Sequence, residues 1–203
     1  FGTGALGDMG CHIIDAAFWA LELGAPESIE AENPPLSAHP ETAPAWSIVR
    51  YHFAAKGDQP AVKLTWYDGG KQPPLDLFDG HVPSKDSSGS IFVGTRGRLL
   101  VQRERGRGYT LLPEKDYKDF TPPLPTLARS IGHHQEWLEA CKTGKTTGTN
   151  FDYASALTEL VLLGNVAIRS GRKIEWDAAE SRTRNGTFDD MFIHRESRSG
   201  WTT

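Results

Sequence analysis

The chain has 203 residues, enough for one sizeable core, with 38% hydrophobic and 24% charged residues, on the modest side for an ordinary globular protein. A formal net charge of −4 argues against a nucleic-acid surface, which needs clustered excess Lys and Arg. No uninterrupted apolar run approaches the ~20 residues of a membrane span, and Cys11 and Cys141 show no metal-type spacing and read as reduced, packed thiols.

The first strong element is a helix from about Asp8 to Leu23, stopped at Gly24, Ala25 and Pro26. At 100° per residue, Ile13, Ile14, Ala17, Phe18 and Leu21 share one broad face. Asp8, His12, Asp15 and Trp19 form a polar stripe on the opposite side. A short strand, Ser28 to Glu32, leads into a proline-rich loop from Asn33 to Pro44. Strands at Trp46 to Ala54 and Ala61 to Tyr67 are joined by a turn around Gly57. The long loop from Asp68 to Ser88 has the length of a functional lid or binding loop. Trp66, Tyr67, Asp68 and Lys71, where that loop leaves the strand, are candidates for binding substrate hydroxyls.

Gly89 to Val93 and Arg98 to Arg103 make a hairpin, extended by Tyr109 to Leu112. The basic stretch from Arg96 to Arg107 is broken by Glu104 and reads as a solvated strand pair and turn. Helices follow at Leu127 to Lys142, stopped by Gly144, and at Phe151 to Ser170, capped by Thr149 or Asn150 and stopped by Gly171. His133 and His134 lie on the first of these. His134 falls in the stripe of Leu127, Ile131, Leu138 and Cys141 and reads as a core or rim histidine, and both histidines are further candidates for contacting substrate. The polar tail from Arg182 onward wraps a surface. Helix, consecutive strands, then helices gives an α+β fold: an open, largely antiparallel sheet with helices on one face.

Gly2, Gly4 and Gly7 spell GxGxxG before a helix, with Glu30 or Glu32 on a strand beyond, the pattern of a dinucleotide fingerprint. Three features speak against that role. No strand precedes the glycines, Asp8 puts an anion where pyrophosphate would sit, and the strands downstream do not alternate with helices. Packing or a turn is the expected role of these glycines.

The segment Gly4-Ala5-Leu6-Gly7-Asp8-Met9-Gly10-Cys11-His12-Ile13-Ile14-Asp15 resembles the start of the C-terminal domain in the glucose-fructose oxidoreductase/inositol dehydrogenase (Gfo/Idh/MocA) family. There, a glycine-rich lead precedes D-x-x-x-H on a helix. Asn150-Phe151-Asp152-Tyr153, Leu162-Leu163-Gly164-Asn165 and Lys173-Ile174-Glu175-Trp176-Asp177 are similar to that domain's closing helix and strand. Arg195 to Trp201 resembles the tail of a bacterial branch.

The resemblance implies a single domain over residues 1–203, an open antiparallel sheet normally preceded by a Rossmann domain that binds NAD or NADP. It implies hydride transfer on a sugar or polyol, with Asp8 and His12 at the catalytic positions. A proton must move to or from the oxygen as the hydride moves, which suits histidine, whose ordinary pKa lies near neutrality. Asp15 would hold His12 from the far side or touch substrate. It further implies a homodimer or homotetramer through the sheet face.

The family's glutamate-lysine-proline motif is not in this sequence, so the chain alone is expected to be inactive. NAD-assisted glycoside cleavage or elimination is the rival chemistry, and a non-catalytic sugar-binding or oligomerisation module the rival outside catalysis. The chain opens Phe1-Gly2-Thr3-Gly4 without Met and reads as the later part of a longer protein. Its compartment is cytoplasmic by default, with export left open, and the Asn185-Gly186-Thr187 sequon is read as incidental.

Overall fold

The chain opens with helix α1 (Gly4–Ile13), which continues with little change of backbone into α2 (Asp15–Ala20). Ile14 between them keeps helical angles, and its N–H still bonds the Gly10 carbonyl at 2.8 Å. The computed structural model describes residues 2–36, 41–81, 88–102, 108–184, 186, 190–194 and 197–201. Arg103, parts of the two long loops, the Asn185 sequon and part of the terminal motif lie outside the described residues.

Helix formation starts four residues before Asp8 because the glycine-rich lead has a packing partner. Leu6 is buried, and Gly10 approaches Val161 of helix α4 (Phe151–Ser170) so closely that an added Cβ would stand 3.0 Å from its Cγ2. Tertiary contact thus outweighs the low helix propensity of glycine, about 1 kcal/mol per residue.

The other end also differs from expectation. Glu22, not Gly24, takes the left-handed position (φ 45°). Leu23 N–H bonds the Phe18 carbonyl at 3.0 Å and Glu22 N–H the Trp19 carbonyl at 3.2 Å, the paired bonds of a Schellman motif. Leu23 and Phe18 are both buried, so core packing of Leu23 turns the chain two residues early.

Strands β1 (Ser28–Glu32), β2 (Ile48–Phe53) and β3 (Val62–Tyr67) form an antiparallel meander. Strand β7 (Ile174–Asp177) adds beside β1, and the two-residue β8 (Arg182–Thr183) beside β7, giving the order β3-β2-β1-β7-β8. A second sheet has the order β4-β5-β6, from β4 (Gly89–Val93), β5 (Arg98–Gln102) and β6 (Gly108–Leu112). Every strand pair among the described residues is antiparallel. The protein is therefore an α+β fold with open antiparallel sheets, and no parallel βαβ unit occurs among those residues.

Alternation along β2 turns Val49, Tyr51 and Phe53 into the core, in register with Trp66, Leu64 and Val62 of β3. Ile29 of β1 faces Tyr51 on one side and Ile174 on the other. Each such large side chain contributes roughly 1.5–3 kcal/mol by leaving water. Helix α4 covers this face beside α1. Its length and composition would suit a membrane crossing. Its buried face is nonetheless the core of this protein, from Leu157 through Ile168. Asn150 is its N-cap, accepting from the N–H groups of Asp152 and Tyr153 at 3.0 and 3.2 Å.

The opposite face of the five-stranded sheet is polar. Arg50 pairs with Glu32 at 3.0 Å, His52 lies 3.9 Å from Glu30, and Lys63 is exposed.

Helix α3 (His133–Thr143) corrects the sequence reading most. It starts at His133, not Leu127, because Gly132 takes φ 103° and Leu127 to Ser130 stay irregular. Leu127 and Ile131 therefore share no helical stripe with His134, and α3 buries no residue. Cys141, expected to be packed, is exposed, while Cys11 is half-buried. The tail also does more than expected: Phe192 and Ile193 pack against the main core.

Candidate functional site

The candidate residues fall into three places. Asp8 and His12 lie one turn apart on the exposed side of α1, and Trp19 extends the same side on α2, 57% exposed. No hydrogen bond joins Asp8 to His12 among the described residues, and both residues are exposed. Asp15 belongs to the same stripe but is engaged. Its carboxylate accepts a short hydrogen bond from the Tyr153 hydroxyl on the first turn of α4. Loss of solvent, then the bond to Asp15, holds the Tyr153 phenol well above the ordinary tyrosine range. Tyr153 also meets Phe18 edge to face at 5.6 Å. Asp15 is thus tied to α4 through Tyr153, and the expected grip of Asp15 on His12 is not among the hydrogen bonds of the described residues.

The second place is the junction of β3 with its following loop. The Asp68 carboxylate accepts from the Ser47 N–H, from the Ser47 hydroxyl at 2.8 Å and from the Trp66 indole N–H at 2.7 Å. Three donors on one carboxylate, with Ser47 and Trp66 buried, make a bracket that holds the loop to β2 and β3. Gly69 follows with φ 61°, where a Cβ would overlap the backbone of Ala45. Lys71 then lies over the Trp46 ring, 4.1 Å from its centroid. Trp66, Tyr67 and Lys71 line a cavity of about 560 Å³ between α1/α2, β3 and β4, floored by Ile13, Ala17 and Leu64. Asp8 and His12 do not line it.

His133 and His134 are the third place. Their ring centroids lie 4.1 Å apart, tilted by 52°, on exposed α3, and they line no part of that cavity. The described residues do not bring the candidates into one pocket.

Two of the three glycines of the fingerprint pattern, Gly4 and Gly7, lie in α1. Gly4, Gly7 and Gly10 are helical, the Gly7 N–H is spent on the Thr3 carbonyl at 3.2 Å, and Gly10 packs on Val161. Among the described residues no three metal-ligating side chains cluster.

Reading from sequence missed Tyr153, the partner of Asp15, and Ser47, the partner of Asp68. Tyr153 stands 138 positions from Asp15, and no local spacing relates them. Trp46 beneath Lys71 gives no sequence signal beyond that of a strand residue.

No protein-family profile matches the sequence, and no curated protein matches it. A crystal structure of an oxidoreductase from Agrobacterium radiobacter in complex with NAD+, L-tartaric acid and magnesium superposes with a TM-score of 0.40 at 15% identity. The match covers 83% of this chain and 48% of that one, so the chain spans about half that oxidoreductase's length.

Proposed function

We propose that this chain is the substrate-side half of an NAD(P)-dependent oxidoreductase acting on a sugar, polyol or derivative, with the nucleotide gripped by a domain outside these residues. The observation that carries the reading is the exposed face of α1. Asp8 and His12 stand one turn apart there, both exposed, in the D-x-x-x-H order of the resembled family.

In this reading His12 takes the proton that leaves a substrate hydroxyl as its carbon is oxidised, and returns it in the reverse direction. Asp8 accepts a hydrogen bond from an adjacent hydroxyl and sets the substrate against the imidazole. The Tyr153–Asp15 bond ties the following turn of helix to α4, so the stripe is carried on a rigid support.

The test is turnover of the full-length protein with candidate polyols, followed by nicotinamide absorbance. His12→Ala should lower kcat by roughly 100- to 10,000-fold, the usual worth of a general base, with cofactor affinity and circular dichroism unchanged. Unchanged turnover rejects the role of His12, and no nicotinamide reduction with any polyol rejects the class.

A further inference from the structure

The five-stranded sheet ends at β3 and the three-stranded sheet ends at β4. An edge strand carries a row of unpaired N–H and C=O groups, which natural proteins usually cover or blunt. Here every residue of β3 and every residue of β4 lines one cavity, the space of about 560 Å³ described above. Two open edges therefore border a single slot. No backbone hydrogen bond closes either outer edge among the described residues.

The slot has two dissimilar sides. On the core side lie Val62, Leu64 and Trp66, the inward positions of β3, above Ile13, Ala17 and Leu21. On the open side lie Lys63, Thr65 and Tyr67, with Lys71 beyond. Among the described residues its only charged lining residues are these two lysines, in a protein of net charge −4. Ser90 is held to the Ile13 carbonyl at 3.0 Å, which anchors β4 against α1. Ile13 and Ala17 each follow Asp8 and His12 by five positions, about 140° around the helix. The slot is thus on the other side of α1/α2 from that pair.

We infer that this slot receives an extended peptide segment of another polypeptide, with apolar side chains at alternate positions and acidic side chains between them. Side chains alternate across a strand, so one set would fill the apolar floor and the other would meet Lys63 and Lys71. The six residues of β3 span roughly 20 Å at ~3.3 Å each, room for a guest strand of similar length. Its backbone would pair with β3 on one side and β4 on the other, joining the two sheets. The inference is independent of the proposed oxidoreductase chemistry, because its readout is binding alone.

The experiment is calorimetric titration of the full-length protein with an eight-residue, end-capped peptide of alternating valine and glutamate. Binding at micromolar peptide is expected. N-methylation at alternate residues, which removes the donors to one edge and keeps the side chains, should weaken it about tenfold or more. Lys63→Glu should weaken the parent peptide about tenfold, and Lys71→Glu gives a second, exposed site for the same charge test. No binding at millimolar peptide, or equal binding of the N-methylated peptide, would overturn the inference. So would saturation by laurate with no binding of the alternating peptide, since that marks a site for an amphipathic anion. Self-association of the protein that the peptide fails to inhibit would assign the slot to a second copy and overturn it likewise.

Discussion

Tyr51 is the largest wholly buried side chain, at the centre of β2, and its hydroxyl has no hydrogen-bond partner among the described residues. The oxygen lies against Gly164 of α4, where a Cβ would overlap it. A buried hydroxyl without a partner forfeits its bonds to water and costs about 1–3 kcal/mol. Tyr51→Phe removes that cost and leaves a void of one oxygen. At ~24 cal/mol per Å³, a void of ~10–15 Å³ returns only about 0.3 kcal/mol. The net expectation is a gain of about 1–2 kcal/mol.

Urea titration followed by tryptophan fluorescence measures it. With m of about 2–3 kcal/mol/M, the midpoint should rise by roughly 0.5 M with m unchanged, and Tm by about 2–8 °C. A loss of stability would refute the reasoning and mean that the hydroxyl has a partner, such as a buried water. Alkaline titration is a second check. Burial pushes the Tyr51 phenol far above its ordinary value of 10.0, so the folded state keeps a proton that the unfolded chain releases. Stability is full below pH 10 and falls above it as the unfolded state ionises. Tyr51→Phe should make that fall shallower.

Gly164→Ala should cost about 1–3 kcal/mol through overlap with Tyr51 and Leu6, and less in a Tyr51→Phe background; strict additivity in urea midpoints would show that the two sites do not touch. Glu22→Gly should stabilise by about 0.5–1 kcal/mol, since glycine accepts φ 45° without strain; a lower Tm would deny the left-handed turn. Tyr153→Phe should weaken the tie between α2 and α4 and remove another share of the alkaline fall, because the raised Tyr153 pKa likewise loses stability above pH 10. An unchanged limb on that side would dissociate Tyr153 from Asp15.

Much of this protein was determined locally. Alternation in Val49, Tyr51 and Phe53 announces a half-buried strand, and Asn150 before Phe151 announces a capped helix, because side-chain period and capping chemistry act within a few residues. The one-turn spacing of Asp8 and His12 needed nothing else either. Other features rest on distant partners. The helix starts at Gly4 because Leu6 and Gly10 meet α4, and it ends at Glu22 because Leu23 reaches the core. α3 leaves its apolar residues exposed because no described element covers them, which periodicity within α3 had no means to reveal. Asp15 and Asp68 look like free carboxylates in the sequence, yet Tyr153 takes the first and Ser47 and Trp66 the second. The slot between β3 and β4 is likewise a product of sheet order. Local periods decide which residues face inward, and only the packed chain decides which of them find partners and which edges stay open.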